Sequence, residues 1–210
     1  MKNLKYFIDL ENKMGVKGKG DKLEASLINI KRHELFINGK QVKIDPAPGL
    51  IYDESILSLP VFCLTIKNYR EICIKDKFPE FEYRIDFDSK FLDDFQDGEL
   101  PYLLVIHNIV EFTDRFEKAL AKQGIGGHRN IIIYRDKSNF NIDPQSNLLK
   151  LDTPFTKDIS FEYQKEYRFI IFKPVDDFFE VEIGNIEDIS TLVNIRDGGL
   201  TFYFKEKLYT

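Results

Sequence analysis

The residue types best suited to catalysis lie together in one short run, Gln164, Lys165 and Glu166. If this run is a strand, the Gln164 and Glu166 side chains point to the same side, about 7 Å apart. A carboxylate placed in this way can hydrogen-bond a ribose hydroxyl and stabilise an oxocarbenium-like transition state, in which positive charge develops at the anomeric carbon. The neighbouring carboxamide can orient a nucleophile. The run therefore predicts Glu166 and Gln164 as catalytic residues.

The element that must position this run is predicted to be a strand over residues 161–172. Read with a period of two, one of its faces is bulky and is predicted to be core. The residues of that face are Phe161, Tyr163, Lys165, Tyr167, Phe169 and Ile171. The residues of the opposite, polar face are Glu162, Gln164, Glu166 and Arg168. This polar face is either one wall of a site or a solvated surface whose charges pair with lysines on a neighbouring strand.

The rest of the chain predicts an α+β protein with a single domain over residues 1–210, built on a mixed or mainly antiparallel sheet with two or three helices. Helices are predicted over 3–14, over 88–95 and, after an Asn108 cap, over an apolar stripe that ends near Gly124. Asn38-Gly39 predicts a two-residue hairpin between strands at 33–37 and 40–44.

Further strands are predicted at 59–66, 81–85, 101–107, 130–135, 178–183 and 200–204. Residues 136–158 hold two prolines and many polar side chains, and they predict a long loop. Residues 185–192 predict a short helix. Asp21 and Glu24 have the spacing of a capping box, which predicts that they start a short turn of helix.

Composition excludes several classes of protein. The net charge of -5 is mild and mixed, without the basic stripe that marks a nucleic-acid footprint. No apolar run approaches the roughly 20 residues of a membrane span, and the N-terminus is too charged for a signal peptide. Cys63 and Cys73, the only cysteines, are predicted to be free thiols in a reducing compartment. These features predict a cytoplasmic protein that does not enter a membrane.

No metal site is predicted. The three histidines, His33, His107 and His128, are isolated from one another and from the cysteines. A nuclease would need acidic residues around Mg²⁺, and a group of them is available at Asp86, Asp88, Asp93 and Asp94. Their spacing is also typical of residues that begin a helix.

One segment resembles a known family. Tyr163, Glu166, Tyr167 and Arg168 match a closing strand that reads aromatic-x-x-Glu-aromatic-Arg in an uncharacterised bacterial and phage-borne family. The upstream segment GDKLEA, with Gly20, Asp21 and Glu24, resembles a second piece of that family, and SLPVFCLT resembles a third.

More remotely, QKE resembles the Gln-x-Glu motif of ADP-ribosyltransferases, and the order of elements is similar to toxins that modify DNA bases with NAD. The resemblance implies that Glu166 is the catalytic carboxylate, that Gln164 orients a reactant, and that NAD or a related nucleotide is the substrate. The substrate-binding residues that it implies are Arg168, Tyr163, Arg32, His33 and Thr65. Of these, Arg32 or His33 would grip NAD. The Ser-Thr-Ser strand of arginine- and cysteine-type transferases is missing, and Thr65 is the only candidate for its role.

The function expected from this resemblance is a role in conflict between phage and host, with a nucleotide or nucleic-acid base as the acceptor. The competing expectation is a non-catalytic binding or inhibitor protein. Such a protein would dock a nucleotide signal or a protein of a defence system through an exposed polar ladder and aromatic loops. Fold alone does not separate these two classes.

Overall fold

The computed structural model describes residues 1–15, 18–29, 35–37, 40–42, 50–52, 54–67, 73–75, 80–95, 102–137, 153–195 and 199–205. Its α-helices are α1 (Leu4–Met14), α2 (Glu54–Leu57), α3 (Ser89–Phe95) and α4 (Ile109–Lys122). Its first eight strands are β1 (Lys2–Asn3), β2 (Ser26–Asn29), β3 (Leu35–Ile37), β4 (Lys40–Val42), β5 (Leu50–Tyr52), β6 (Pro60–Thr65), β7 (Cys73–Lys75) and β8 (Glu80–Asp86).

The later strands are β9 (Tyr102–Ile106), β10 (Gly127–Ile131), β11 (Ile133–Arg135), β12 (Thr156–Asp158), β13 (Glu166–Ile171), β14 (Ser190–Asn194) and β15 (Gly199–Lys205). Two 3₁₀ helices, Thr153–Phe155 and Ile159–Gln164, flank β12. Helices and mostly antiparallel strands together confirm the predicted α+β class. None of the described helices is both long enough and apolar enough to cross a lipid bilayer.

The central sheet has the strand order β1-β6-β13-β10, and each neighbouring pair is antiparallel. Its inner strand β13 is buried on both faces. Phe169 and Ile171 pack against the apolar stripe of α4, whereas Ile170 packs on the opposite side with Leu4 of α1. The strand therefore separates two apolar clusters, and any charged side chain on it must be buried in one of them.

The two long helices begin and end as their sequences predict. Asn3 accepts a hydrogen bond from the Tyr6 amide at the start of α1, and Gly15 ends that helix with φ of 67°. Asn108 caps α4 by accepting from the Glu111 amide. A glycine suits the left-handed conformation that closes a helix because it has no Cβ.

The strand pairings bear out several predicted strands. Strands β3 and β4 pair as an antiparallel hairpin with Ile37 opposite Lys40, although residues 38 and 39 lie outside the described part. The predicted strands near 59–66, 81–85 and 200–204 correspond to β6, β8 and β15. The other small sheets are β7-β8-β15, β9-β14, β2-β5 and the one parallel pair among the described strands, β11-β12.

Several predictions of local structure outside the candidate site differ from the structure. Residues 178–183 form no strand beyond a single bridge from Lys2 to Phe178, and residues 185–192 give a turn followed by β14 rather than a helix. The predicted strand at 130–135 is two strands, β10 and β11, separated at the buried Ile132. The predicted loop at 136–158 contains β12, which pairs with β11.

Candidate functional site

The predicted strand over 161–172 begins only at Glu166. Residues Ile159–Gln164 form a 3₁₀ helix, and Lys165, with φ of 46°, turns the chain from this helix into β13. Glu162 consequently projects to solvent and does not share a face with Glu166. Gln164 reaches the same side as Glu166 from the end of the 3₁₀ helix, so the structure still brings these two residues together.

The polar face of β13 is buried and is not a solvated surface. Arg168, Glu166 and Gln164 are 2%, 5% and 3% exposed. Every buried charged residue in the described part of the chain belongs to the same group, which we call the charge cluster. Its members are Asp21, Glu24, Lys137, Lys157, Glu166 and Arg168. With three carboxylates and three cations, the formal charges of the cluster balance when all are ionised.

Arg168 forms the centre of the charge cluster. Two of its nitrogens donate to the two Glu24 oxygens at 2.7 and 3.0 Å, and its Nε donates to Glu166 Oε1 at 2.7 Å. A paired geometry of this kind suits the flat guanidinium fork. Glu24 does not serve the predicted capping box, because residues 22–25 form a turn and its carboxylate binds Arg168, 144 positions away.

Lys157 of β12 joins the two residues of the QKE motif. Its Nζ donates to Glu166 Oε2 and to Gln164 Oε1, each at 2.8 Å. The Gln164 amide nitrogen in turn donates to the Gly18 carbonyl at 2.8 Å. Gly18 has φ of 99°, and the Asp94 carboxylate occupies the place that a Cβ would take, so this turn requires glycine.

The cluster fixes the charge of its inner members. Burial raises the pKa of Glu166, but the nearby charges of Arg168 and Lys157 outweigh burial and bring the pKa well below its usual value. The same balance lowers the pKa of Glu24. For Lys157, the carboxylates of Glu166 and Glu24 outweigh burial and raise its pKa. At neutral pH, Glu166 is therefore a permanent anion and a poor proton acceptor.

Asp21 is the exception in the charge cluster. It is 2% exposed, and its Oδ1 accepts from the Leu23 amide at 2.8 Å, but its buried Oδ2 has no hydrogen-bond partner among the described residues. Burial, and then the charge of Glu24, raise its pKa to about 6, despite the opposing effect of Lys137 and Lys157. A carboxyl group with such a pKa can exchange a proton near neutral pH.

A pocket of about 70 Å³ opens beside the charge cluster. Its apolar wall includes Phe7 and Phe95. Its other lining residues include Lys19, Asp21, Glu24, Cys63, Lys157, Gln164, Glu166 and Arg168. The space holds a small polar group but not a whole dinucleotide, so a larger ligand would extend outward from it. Five of the six charged residues of the cluster thus border one small cavity.

Cys63 lies opposite Arg168 in the pairing of β6 with β13 and is exposed. Nearby protein atoms and the charge of Glu166 raise the pKa of its thiol above the usual value. Its side chain also lines the pocket beside Glu166.

The remaining predicted substrate-binding residues are more scattered. Thr65 lies opposite Glu166 in the same strand pairing but is exposed, and it lines a separate apolar cavity of about 260 Å³. Tyr163 is half-buried, with its hydroxyl bonded to the Asp94 carboxylate and the Lys90 Nζ 4.3 Å from its ring centre. Arg32 and His33 lie outside the described residues.

The contributions of Lys137 and Lys157 were not predicted from the sequence, and Asp21 and Glu24 were predicted only as a local cap. A signal for Lys157 exists in its setting, because it follows the buried Thr153–Phe155 turn and precedes Phe161. A lysine between apolar residues at both ends is a candidate for a buried cation. Among the residues described, no group of His, Cys, Asp and Glu side chains is arranged to hold a metal ion.

Comparison of this chain with protein-family models, with curated proteins and with solved structures found no match.

Proposed function

We propose that the polar pocket is the site of an ADP-ribosyltransferase-like protein that acts on NAD or a related nucleotide, in conflict between phage and host. The observation that carries the proposal is the meeting of Gln164 and Glu166 at the wall of one pocket. These are the two residues that the resemblance to ADP-ribosyltransferases selects, and they arrive there from different elements.

The state of Glu166 suits charge stabilisation. Its pKa lies well below the usual value, so it stays ionised when positive charge develops on a ribose ring beside it. A carboxylate has about four acceptor positions, and Arg168 and Lys157 each donate to one of them. The remaining positions can accept from a ligand hydroxyl.

In the proposed reaction, an acceptor hydroxyl or amine, or water, attacks the anomeric carbon of the nicotinamide ribose. The bond to the nicotinamide nitrogen breaks, and its electron pair neutralises the positive charge on that ring. The proton of the nucleophile must pass to a base. Glu166 stabilises the charge on the sugar but is too acidic to take this proton.

The test is NAD consumption by the purified protein, alone and with DNA, RNA or a cell extract. Glu166→Gln alone would leave Lys157 and Arg168 short of negative charge in a buried site. The variant of choice therefore combines Glu166→Gln with Lys157→Met, which keeps the charge cluster balanced. Exposed Glu162, four residues upstream, provides the control Glu162→Gln.

We expect the wild type and the Glu162→Gln control to consume NAD. The paired variant should lose about 100-fold or more of the rate while remaining folded in thermal denaturation. Equal turnover by the folded paired variant would exclude Glu166 from the chemistry. If no mixture supported turnover, the alternative of a non-catalytic binding protein would replace the enzyme. Its docking surface could not be the polar face of β13, which is buried.

A further inference from the structure

Asp21 is the one member of the charge cluster with a buried oxygen left unbonded, and nothing in the QKE resemblance gives it a role. Its Oδ2 has no hydrogen-bond partner among the described residues, although the side chain is only 2% exposed. Leaving a buried polar atom without a partner costs about 1–3 kcal/mol, and more for a charged group. An unbonded carboxylate oxygen beside a cavity can therefore accept a hydrogen bond from a ligand in that cavity.

The chemistry of that donor follows from the charge of its surroundings. The groups that face Asp21 are Glu24 in its own turn, Lys137 after β11 and Lys157 of β12. The side chains that line the pocket carry three carboxylates, on Asp21, Glu24 and Glu166, and three cations, on Lys19, Lys157 and Arg168. A charged ligand group would upset this balance in a buried setting, where unpaired charge is most costly. The pocket thus favours a neutral group that donates hydrogen bonds.

Size narrows the choice further. The pocket of about 70 Å³ is several times the space that one water needs but too small for a nucleobase with its sugar. Its lining offers acceptor oxygens on Asp21 and Glu166, with the apolar rings of Phe7 and Phe95 beside them. Adjacent hydroxyls on the edge of a sugar ring meet these demands.

We propose that the pocket binds the hydroxyl edge of a ribose, and that Oδ2 of Asp21 accepts a hydrogen bond from it. This inference rests on the proposed nucleotide function and specifies which part of the nucleotide enters the pocket. The phosphates remain outside. When a neighbouring water is the nucleophile, Asp21 is also the base that takes its proton as the water oxygen bonds to the anomeric carbon and the bond from that carbon to the nicotinamide nitrogen breaks.

The experiment is titration calorimetry of ADP-ribose and of inorganic pyrophosphate with wild type, Asp21→Asn and the control Asp93→Asn. Asp93 is an exposed carboxylate on α3. We expect ADP-ribose to bind wild type and Asp93→Asn alike and to bind Asp21→Asn at least about tenfold more weakly. Pyrophosphate should neither bind in the pocket nor compete with ADP-ribose.

Each contrary result is decisive. Equal affinity of wild type and Asp21→Asn for ADP-ribose, or no binding to wild type, overturns the inference. Pyrophosphate that competes with ADP-ribose shows that the pocket takes an anion. An Asp21→Asn protein that fails to fold also overturns it. Unlike Glu166, Asp21 as an anion is disfavoured more by burial and by Glu24 than it is favoured by Lys137 and Lys157, so its loss should not destabilise the fold.

The outcomes also separate this inference from the proposed function. Binding of ADP-ribose that depends on Asp21, without any NAD consumption, leaves the ribose site standing and removes the catalytic proposal. NAD consumption that is unchanged in Asp21→Asn retains the catalytic proposal and removes the role of Asp21.

Discussion

Replacing Asp21 with asparagine should make the protein more stable at neutral pH, although it is among the most buried of the described residues. The carboxyl pKa is 3.8 in its ordinary environment and about 6 in the fold. A difference of one in pKa corresponds to about 1.36 kcal/mol, so the ionised carboxylate lowers the free energy of unfolding by roughly 3 kcal/mol relative to the protonated form. Asparagine keeps an oxygen for the Leu23 amide and carries no charge, so it avoids this loss.

The pH dependence carries the sharper test. A carboxyl group whose pKa is raised by folding stabilises the fold below its unfolded pKa and loses that contribution as pH rises through its folded pKa. The advantage of Asp21→Asn should therefore be small near pH 4, grow between about pH 4 and pH 6 and level off above it. The measurement is urea denaturation of both proteins at several values across pH 4–8, which gives the free energy of unfolding at each pH. The m-values of the two proteins are compared as well.

At each pH, the free energy of unfolding of wild type is subtracted from that of Asp21→Asn. This difference largely removes contributions that the two proteins share, such as the acidic titration of Glu24 and Glu166. Asp93→Asn should show no comparable gain, since that side chain is exposed. A variant that is less stable than wild type at pH 7.5, or an advantage independent of pH, would show that Asp21 is well accommodated as an anion. The account of the pocket would then be wrong.

Further substitutions test the parts that hold the cluster together. Glu24→Ala leaves Arg168 with a buried charge that Glu166 offsets only in part, so it should lower the free energy of unfolding in urea by about 3–5 kcal/mol. A loss below about 1 kcal/mol would refute the central place of this pair. Lys165 has φ of 46°, so Lys165→Gly should leave stability unchanged or raise it, whereas Lys165→Val should lower it by about 1–2 kcal/mol. Equal effects of the two substitutions would contradict the left-handed turn.

Local signals in the sequence predicted the fold where local interactions decide it. The caps at Asn3 and Asn108 and the apolar stripe of α4 depend on residues within a few positions of one another. The prediction failed at 178–183, where alternating residues suggest a strand. There Phe178 makes a single bridge to Lys2, and the Phe179 side chain is buried in the core. Periodicity shows which side chains can share a face, but not whether a partner strand is present.

The candidate site was predicted in part, for a related reason. The side chains of Gln164 and Glu166 meet as expected, although a left-handed Lys165 lies between a 3₁₀ helix and β13. Burial of the polar face was not predictable from its own residues. It depends on Glu24, which is 144 positions from Arg168, and on Lys157, which enters through a strand that the sequence presents as loop.

Burying the charge cluster in a core costs desolvation free energy, and this cost bears on function. Buried ion pairs can often be replaced by apolar residues without loss of stability, so their presence alone is weak evidence for a stabilising role. Arg168, Glu24, Glu166 and Lys157 at least bond to one another. Asp21 lacks such compensation, because its Oδ2 has no hydrogen-bond partner among the described residues and an asparagine oxygen would accept from the Leu23 amide equally well. A cluster that only supported the fold would gain by losing this charge. The carboxylate therefore makes sense as a group held ready for a hydroxyl that the folded chain does not itself supply.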